Sequence, residues 1–256
     1  MKWPSSLTII RHGQSQYNIL RDIKKKDPEY QKFVREFDRD HLSKQAQELA
    51  QIIRARYSGN MSDYDTPLTD EGRKQSQKVG LNILKHIPMP DVIFVSPYVR
   101  TQQTLDEMLQ SMPKDFRVPV VVEDRIREQE HGLSSLYYDW RVFHTIHPEQ
   151  KSLHDLQGEY WYQYPQGESV SMVRERIRSM LTMLIREYSE KHVWMVSHHL
   201  TKLSIRANLE RLSPEEFIRI DEKEKPINCG ITHYEGNPDV GTNGRLELTK
   251  YNLKLY

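Results

Sequence analysis

The sequence predicts an α/β protein, a three-layer α/β/α sandwich with a mainly parallel central sheet and a helical insertion. Short strands rich in β-branched residues alternate with amphipathic helical segments along the chain. Several of these strands run into charged side chains, which is where an α/β sheet presents its ligand-binding groups. No linker rich in Pro, Gly or Ser and no internal repeat interrupts the pattern. We therefore expect a single domain over residues 1–256.

The composition is that of a globular domain with balanced charge. The 256 residues carry 37 Lys and Arg against 36 Asp and Glu, a net charge of +1, so nucleic acid is not an expected partner. The hydrophobic fraction of 37% still supports a core at this length. No stretch approaches the roughly 18 consecutive apolar residues of a membrane span, so no membrane partner is expected. The oligomeric state is not indicated by the sequence.

The N-terminus and the single cysteine favour a cytoplasmic location. The segment MKWPSSLTII reaches Arg11 and His12 before the apolar region of a signal peptide could develop. Cys229 has no second cysteine with which to form a disulfide in the chain, which fits a reducing compartment and excludes a cysteine-based metal cluster. The chemistry of the protein must therefore use other side chains.

The regular elements follow one another in α/β order. We predict strands at residues 6–10, 91–95, 117–122 and 192–196. Thr69 is a suitable N-cap for a helix whose apolar face includes Val79 and Ile83, and a second helix follows Arg100. A long helix covers about 170–188, with the side chains of Arg174, Arg176 and Arg178 expected on its solvated face.

Two segments depart from this alternation. Residues 19–66 contain ten basic and nine acidic residues with amphipathic spacing, which predicts a helical insertion of two charged helices. Residues 133–165 are aromatic-rich and irregular, and we expect them to form a cap segment. Whether the insertion acts as a lid or as a surface for a partner stays open.

Charged groups gather where the predicted strands end. The four strands end in, or lead into, Arg11 and His12, Arg100, Glu128, and His198. Because the carboxyl ends of parallel strands meet at one edge of a sheet, we expect these side chains to surround one cavity. Two guanidinium groups and two imidazoles form a site for an anion, and a phosphoryl group fits this donor set.

The same residue types can carry out phosphoryl transfer without a metal. A neutral imidazole can attack phosphorus and form a covalent phosphohistidine, while a protonated Glu128 could supply the proton that a leaving alkoxide needs. Gly13 would let the backbone approach the phosphoryl oxygens. His144 and His147, at i and i+3, raise the possibility of a metal site, but no third ligand has a credible spacing. We expect neither a metal nor another cofactor.

Residues 11–18 (RHGQSQYN) resemble the RHGxSxxN signature of the histidine phosphatase superfamily, also called phosphoglycerate-mutase-like. Further matches follow in the order of that family. They are similar to its LTxxG helix start at 68–72, its SPxxRTxQT segment at 96–104, its LxExxxG loop at 126–132, its GES at 167–169, its second histidine at 196–198 and its Asn-rich entry to a late strand at 226–232.

The resemblance implies a role for each matching residue. It makes His12 the nucleophile that becomes phosphorylated and Glu128 the proton donor. Glu130 lies nearby in the sequence and is our reserve candidate for the proton donor. His198 completes the catalytic set and also contacts the phosphoryl group. The resemblance also implies that Arg11, Asn18 and Arg100 bind the phosphoryl group. We expect Gly13, Ser15 and His199 to belong to the substrate-binding residues as well.

Two departures from the family pattern bear on the function. His199 stands where the family often has glycine, so we expect an additional imidazole at the pocket. Residues 129–131 (QEH) replace the Arg-His-Tyr that is typical of the mutase branch, which favours a phosphatase. We therefore expect a metal-independent phosphomonoester hydrolase that acts on a small phosphorylated substrate, which the sequence does not name. The alternatives are a cofactor-dependent mutase of the phosphoglycerate type and a catalytically weak protein that binds phosphorylated ligands or protein partners.

Overall fold

A computed structural model describes residues 2–59 and 61–256. Met1 and Asn60, which fall within the predicted domain and the predicted insertion, lie outside the described residues. The chain divides into two compact units. Unit 1 contains residues 2–15, 64–128 and 172–256, and unit 2 contains residues 16–59, 61–63 and 129–171.

Unit 1 is built on a six-stranded mixed sheet. The strands are β1 (Ser6–Arg11), β2 (Val92–Val95), β3 (Val120–Val122), β4 (His192–Ser197), β5 (Ile231–Asn237) and β6 (Arg245–Leu253). Their order in the sheet is β3-β2-β4-β1-β5-β6. The strands β3, β2, β4 and β1 are parallel neighbours, and β5 and β6 add an antiparallel pair next to β1. The α/β fold with a mainly parallel sheet flanked by helices is confirmed.

The helices connect these strands and also form most of unit 2. They are α1 (Gln16–Lys26), α2 (Pro28–Asp40), α3 (Lys44–Tyr57), α4 (Asp70–Asn82), α5 (Val99–Ser111), α6 (Trp140–Ile146), α7 (Pro148–Gln157), α8 (Val170–Glu187), α9 (His199–Leu209) and α10 (Pro214–Lys223). Short 3₁₀ turns lie at Ile83–Lys85, Asp124–Ile126 and Gly132–Tyr137. None of the described helices combines the length and the apolar character that crossing a bilayer needs.

The sheet of unit 1 is covered on both faces because its strands are apolar on both faces. Successive side chains of a strand point to opposite sides. On β4, Met195 packs into the core that contains α8, while its neighbours Trp194 and Val196 pack into the core that contains α4 and α5. The sheet is therefore the middle layer between helices.

Local signals set most of the element boundaries in unit 1. The Thr69 side chain accepts the backbone N–H of Gly72 at 3.0 Å and caps α4, as predicted. The predicted strand at 117–122 is shorter, since only Val120–Val122 pairs as β3. Pro119 just before it has no N–H to donate to a ladder, although its carbonyl accepts the N–H of Ile93 at 2.9 Å.

Unit 2 packs its own core from two stretches of the chain. Its apolar cluster joins residues of α2 and α3 to residues of α6 and to Tyr137. A buried ion pair connects the same two stretches, with Lys24 Nζ 2.8 Å from Asp139 Oδ2. The stretch predicted to hold two charged helices holds α1, α2 and α3, because Pro28 starts a new helix and the side chain of Asp27 caps it.

Candidate active site

Two neighbouring strands of unit 1 are each followed by a histidine, and the two histidines lie side by side. His12 follows β1 and His198 follows β4, and these strands are paired in parallel with Arg11 opposite Ser197. The backbone N–H of His12 donates to the carbonyl of Ser197 at 2.9 Å. The two imidazole rings are consequently neighbours, with centroids 5.3 Å apart. The expected convergence at the carboxyl edge of the sheet holds for this pair.

The His12 ring is fixed in one tautomer. Its Nδ1 lies 2.7 Å from the carbonyl oxygen of Gly13, and because a carbonyl only accepts, Nδ1 carries the hydrogen. The lone pair of the neutral ring is then on Nε2. The backbone around the ring is held from the opposite side, since Asn228 Nδ2 and the N–H of Cys229 donate to the His12 carbonyl at 3.1 and 3.2 Å.

The surroundings keep the His12 ring neutral. Burial is the largest cause that lowers the pKa of His12 well below its usual value, and the charges of Arg100 and Arg11 lower it further. The hydrogen bond to Gly13 acts in the opposite direction, and His199 adds a smaller lowering. A neutral imidazole with its lone pair on Nε2 has the form required of a nucleophile.

His198 is completely buried and is held through one ring nitrogen. Its Nε2 lies 2.7 Å from the hydroxyl of Ser96, whereas Nδ1 has no hydrogen-bond partner within the described part of the chain. Burial, followed by the charge of Arg100, lowers the pKa of His198 well below its usual value. A buried ring nitrogen without a partner is costly unless a ligand satisfies it.

Both predicted arginines are buried, which brings permanent positive charge to the site. Arg100 lies in the first turn of α5, and its guanidinium stacks over the ring of Tyr98 at 4.9 Å. The same Tyr98 ring packs edge-on against His198 at 4.9 Å. Arg11 donates from Nη1 to the carbonyl of Pro226 at 2.6 Å. Two buried guanidinium groups form a strong electrostatic site for an anion.

Glu128 lies at the N-terminus of α9. Its carboxylate accepts the backbone N–H groups of His199 at 3.0 Å and Leu200 at 3.2 Å, with Thr201 at 3.4 Å. This is the arrangement by which a carboxylate satisfies the unpaired N–H groups of a first helical turn. The carboxylate is thereby fixed beside the residue that follows His198.

His199 has a side-chain partner that the sequence does not reveal. Its Nε2 is hydrogen-bonded to Oδ1 of Asp221 on α10. Burial alone would raise the pKa of Asp221, but the hydrogen bond and the charge of His199, with smaller contributions from Lys225 and Arg11, lower it. The pair is an imidazole held by a carboxylate at the start of α9.

Gly13 and Ser15 are placed in the loop after β1. A Cβ on Gly13 would lie 2.5 Å from the carbonyl oxygen of Gly72, so a side chain there would collide with α4. The N–H of Gly13 donates to Thr104 Oγ1 at 3.0 Å. Ser15 is buried and forms an isolated antiparallel bridge with Leu68. In the structure, the need for glycine at position 13 is explained by packing.

Asn18 and Glu130 belong to unit 2. Asn18 is buried on α1. The backbone N–H of Glu130 donates to the carboxylate of Glu168 at 3.1 Å, and its carbonyl accepts the N–H of Glu168 at 2.8 Å. A Cβ on Gly167 would lie 2.4 Å from the Glu130 carbonyl. The GES segment therefore braces the loop at Glu130 within this unit.

Arg176 supports the site, although its sequence pattern gives no sign of this role. Its guanidinium donates to the carbonyls of Arg125, Arg127 and Glu128 at 2.7, 2.9 and 3.0 Å. The expectation of a solvated face is wrong for Arg176, and also for Arg174, whose guanidinium donates to backbone carbonyls. A helical pattern of charges cannot distinguish a solvated arginine from one that ties down a distant loop.

Metal ligands are not grouped in the described residues. No set of three or more His, Cys, Asp or Glu side chains among residues 2–59 and 61–256 is arranged to hold a metal ion. The two histidines considered for a metal lie in unit 2. His147 is hydrogen-bonded through Nε2 to the hydroxyl of Tyr137 at 2.7 Å, and His144 is fully buried among aromatic rings.

Solved structures with this fold include phosphatases. A mycobacterial glucosyl-3-phosphoglycerate phosphatase, solved with inorganic phosphate, superposes with a TM-score of 0.64 over 98% of each chain at 17% identity. At this identity, the similarity establishes the fold alone.

Of two eukaryotic relatives, one is named as a mutase-like protein and the other as a phosphatase. Phosphoglycerate mutase-like protein AT74H of Arabidopsis thaliana is 28% identical in an alignment of 179 residues that covers 62% of this chain and 61% of the relative. Fructose-2,6-bisphosphatase TIGAR B of Danio rerio is 25% identical over 187 residues, 73% of this chain and 56% of the relative. The chain thus matches less than two thirds of the length of either relative.

The family model described as histidine phosphatase superfamily (branch 1) matches residues 43–247, which is most of the chain. The loop with His12 precedes this range, whereas Arg100, Glu128 and His198 lie within it. Together with the shared fold, this match agrees with the resemblance stated from the sequence motifs. The chain belongs to the histidine phosphatase superfamily.

Proposed function

We propose that the protein is a phosphomonoester hydrolase that works through a covalent phosphohistidine on His12 and acts on a small phosphorylated substrate without a metal. The observation that carries this proposal is the state of the His12 ring. It is neutral, its Nδ1 hydrogen is donated to Gly13, and its Nε2 lone pair faces away from that bond. This is the form of imidazole that attacks phosphorus.

The cations around His12 support binding of a phosphoryl dianion. Arg11 and Arg100 remain charged at any working pH and lower the pKa of His12 by their proximity. The buried Nδ1 of His198 could form a hydrogen bond with the phosphoryl group, either by donating to an oxygen or by accepting from a protonated oxygen. Stabilising the equatorial oxygens in this way is the main requirement of phosphoryl transfer.

The proposed reaction has two displacements. In the first, Nε2 of His12 forms a bond to phosphorus as the ester P–O bond breaks, and Glu128, which enters this step as the carboxylic acid, gives its proton to the departing alkoxide and becomes the carboxylate. In the second, water attacks the phosphohistidine, Glu128 takes the water proton, and His12 is released with inorganic phosphate. Hydrogen bonds from the backbone N–H groups of His199 and Leu200 hold the Glu128 side chain at the start of α9.

A mutase would return the phosphoryl group to the product instead of to water. The name of the Arabidopsis thaliana relative makes this the second candidate. A mutase would depend on a bisphosphorylated primer and would interconvert phosphoglycerates, whereas a hydrolase releases phosphate from many esters without a primer.

A panel of phosphorylated metabolites tests the proposal. Each compound is incubated with the protein in the presence of EDTA, and released phosphate is measured against His12→Ala as the blank. We expect release from at least one compound, at a rate that EDTA does not change. No release above the blank from any compound would contradict a hydrolase, and primer-dependent interconversion of phosphoglycerates would establish the mutase.

A further inference from the structure

The pair formed by His199 and Asp221 is not used in the proposed reaction. His199 is the first residue of α9 and directly follows His198. Its ring lies close enough to His12 to lower the pKa of that residue, and Asp221 in turn is close enough to Arg11 to be stabilised by its charge. Each member of the pair therefore interacts electrostatically with one residue of the proposed phosphoryl site.

Only one nitrogen of the His199 ring is engaged. Nε2 is hydrogen-bonded to Asp221, and across the residues that the structure describes Nδ1 has no hydrogen-bond partner. Nδ1 is not among the buried polar atoms that lack a partner, and the side chain is 20% exposed. The second nitrogen is thus accessible, on a ring whose orientation is fixed.

The backbone of His199 is fixed as well. Its N–H donates to Glu128 Oε2 at 3.0 Å, so the residue is held by the side chain that we propose as the proton donor to the leaving group. This contact places His199 next to the group that we propose to protonate the leaving group. In the proposed function, Arg11, Arg100 and His198 bind the phosphoryl group itself.

We propose that His199, oriented by Asp221, selects the leaving group: its Nδ1 hydrogen-bonds an oxygen next to the ester carbon, so the favoured substrates are phosphomonoesters of polyhydroxylated alcohols. The kinetic test of this inference rests on the proposed function, because it requires that the protein hydrolyses the esters. A polar group built to bond a substrate oxygen discriminates against an analogue that lacks the oxygen, because the bond is then unmade.

Two substrates with the same carbon skeleton test the inference. Glycerol 2-phosphate is isopropyl phosphate with a hydroxyl on each flanking carbon. We expect the wild type to prefer glycerol 2-phosphate in kcat/KM on the order of tenfold, the effect of one hydrogen bond. His199→Ala should bring this ratio close to one, Asp221→Asn should lower it partly, and the exposed control His86→Ala should leave it unchanged.

Inhibition by inorganic phosphate shows whether a substitution affects binding of the leaving group or binding of the phosphoryl group. In His199→Ala we expect this inhibition to shift by less than about threefold, because phosphate carries no leaving group. An unchanged substrate ratio in His199→Ala, or a wild type without preference, would overturn the inference. A loss of phosphate inhibition as large as the loss of preference would also overturn it.

Binding measured without turnover keeps the inference separate from the proposed function. The affinities of both esters are compared calorimetrically in His12→Ala and in the double variant His12→Ala with His199→Ala. A preference that the second substitution removes supports the inference even if the wild type releases no phosphate, in which case only the proposed hydrolysis is wrong. Equal affinities in both proteins would contradict the inference.

Discussion

The hydroxyl of Ser96 lies 2.7 Å from Nε2 of His198, which connects the end of β2 to the imidazole after β4. The other ring nitrogen of His198 has no partner among the described residues, so this is the hydrogen bond that holds the ring inside the protein. Side chains that bind a reacting group require such fixed orientation, because small displacements cost large factors in rate.

Ser96→Ala should lower kcat/KM by roughly 10- to 100-fold, since His198 would lose its orienting partner. The measurement is steady-state hydrolysis of 4-nitrophenyl phosphate. Ser111→Ala is the matched control, because the hydroxyl of Ser111 donates to the Glu107 carbonyl within α5 and not to a histidine. Equal activity in Ser96→Ala and the wild type would show that the hydroxyl does not order His198.

Tyr98→Leu should weaken phosphate binding, because the Tyr98 ring contacts both Arg100 and His198 at 4.9 Å. Loss of a cation–π contact of about 1 kcal/mol predicts roughly a fivefold higher inhibition constant for inorganic phosphate. Tyr98→Phe keeps the ring and should stay within about twofold of the wild type. A similar loss in both variants would assign the effect to the hydroxyl and not to the ring contacts.

Gly72→Ala should destabilise the protein and lower its activity together. A Cβ on Gly72 would lie 2.1 Å from the carbonyl oxygen of Gln14, in the loop that follows His12. Backbone must move to relieve this contact, at an expected cost of about 1–3 kcal/mol in unfolding free energy measured by urea denaturation. Leu81→Ala, on an exposed turn of the same helix, is the control, and equal stability of the two variants would contradict the close approach.

His144 should make the protein less stable in acid. Burial, followed by the charges of His154 and Lys151, lowers the pKa of His144 to about 4, and neither ring nitrogen has a partner in the described part of the chain. Below about pH 6.5 the unfolded chain binds a proton that the native protein does not bind until about pH 4. Stability is therefore lost as the pH falls through this window, by about 1.4 kcal/mol per pH unit.

His144→Phe tests this pH dependence, because phenylalanine fills a similar volume without a titrating group. The free energy of unfolding is measured by urea denaturation at about pH 7 and pH 5 for both proteins. Relative to the wild type, the variant should gain about 2 kcal/mol on going from the higher to the lower pH. A difference between the two proteins that does not vary with pH would show that His144 titrates normally.

Much of the site could be predicted because strand ends are local features. A β-branched run followed by polar residues defines the ends of β1 and β4, and the parallel pairing of these strands then brings His12 and His198 together. The cap at Thr69 is equally local. These predictions needed no knowledge of distant contacts.

The partners of the site residues could not be predicted because they come from other parts of the chain. Asp221 reaches His199 from α10, and nothing in the sequence around either residue marks the pair. Arg176 reaches carbonyls on a loop about fifty residues earlier, although its charge pattern resembles that of a solvated helix. Unit 2 likewise joins stretches that the sequence separates.

Chemical trapping of the intermediate tests the central claim most directly. The protein is mixed with a radiolabelled phosphomonoester, quenched in denaturant within the first turnover, and analysed for label that is lost in acid and retained in base. We predict one such phosphoryl group on the peptide that contains His12, absent in His12→Ala and present in the control His86→Ala. Phosphate release from a substrate without any labelled His12 peptide, or equal turnover by His12→Ala, would contradict the account.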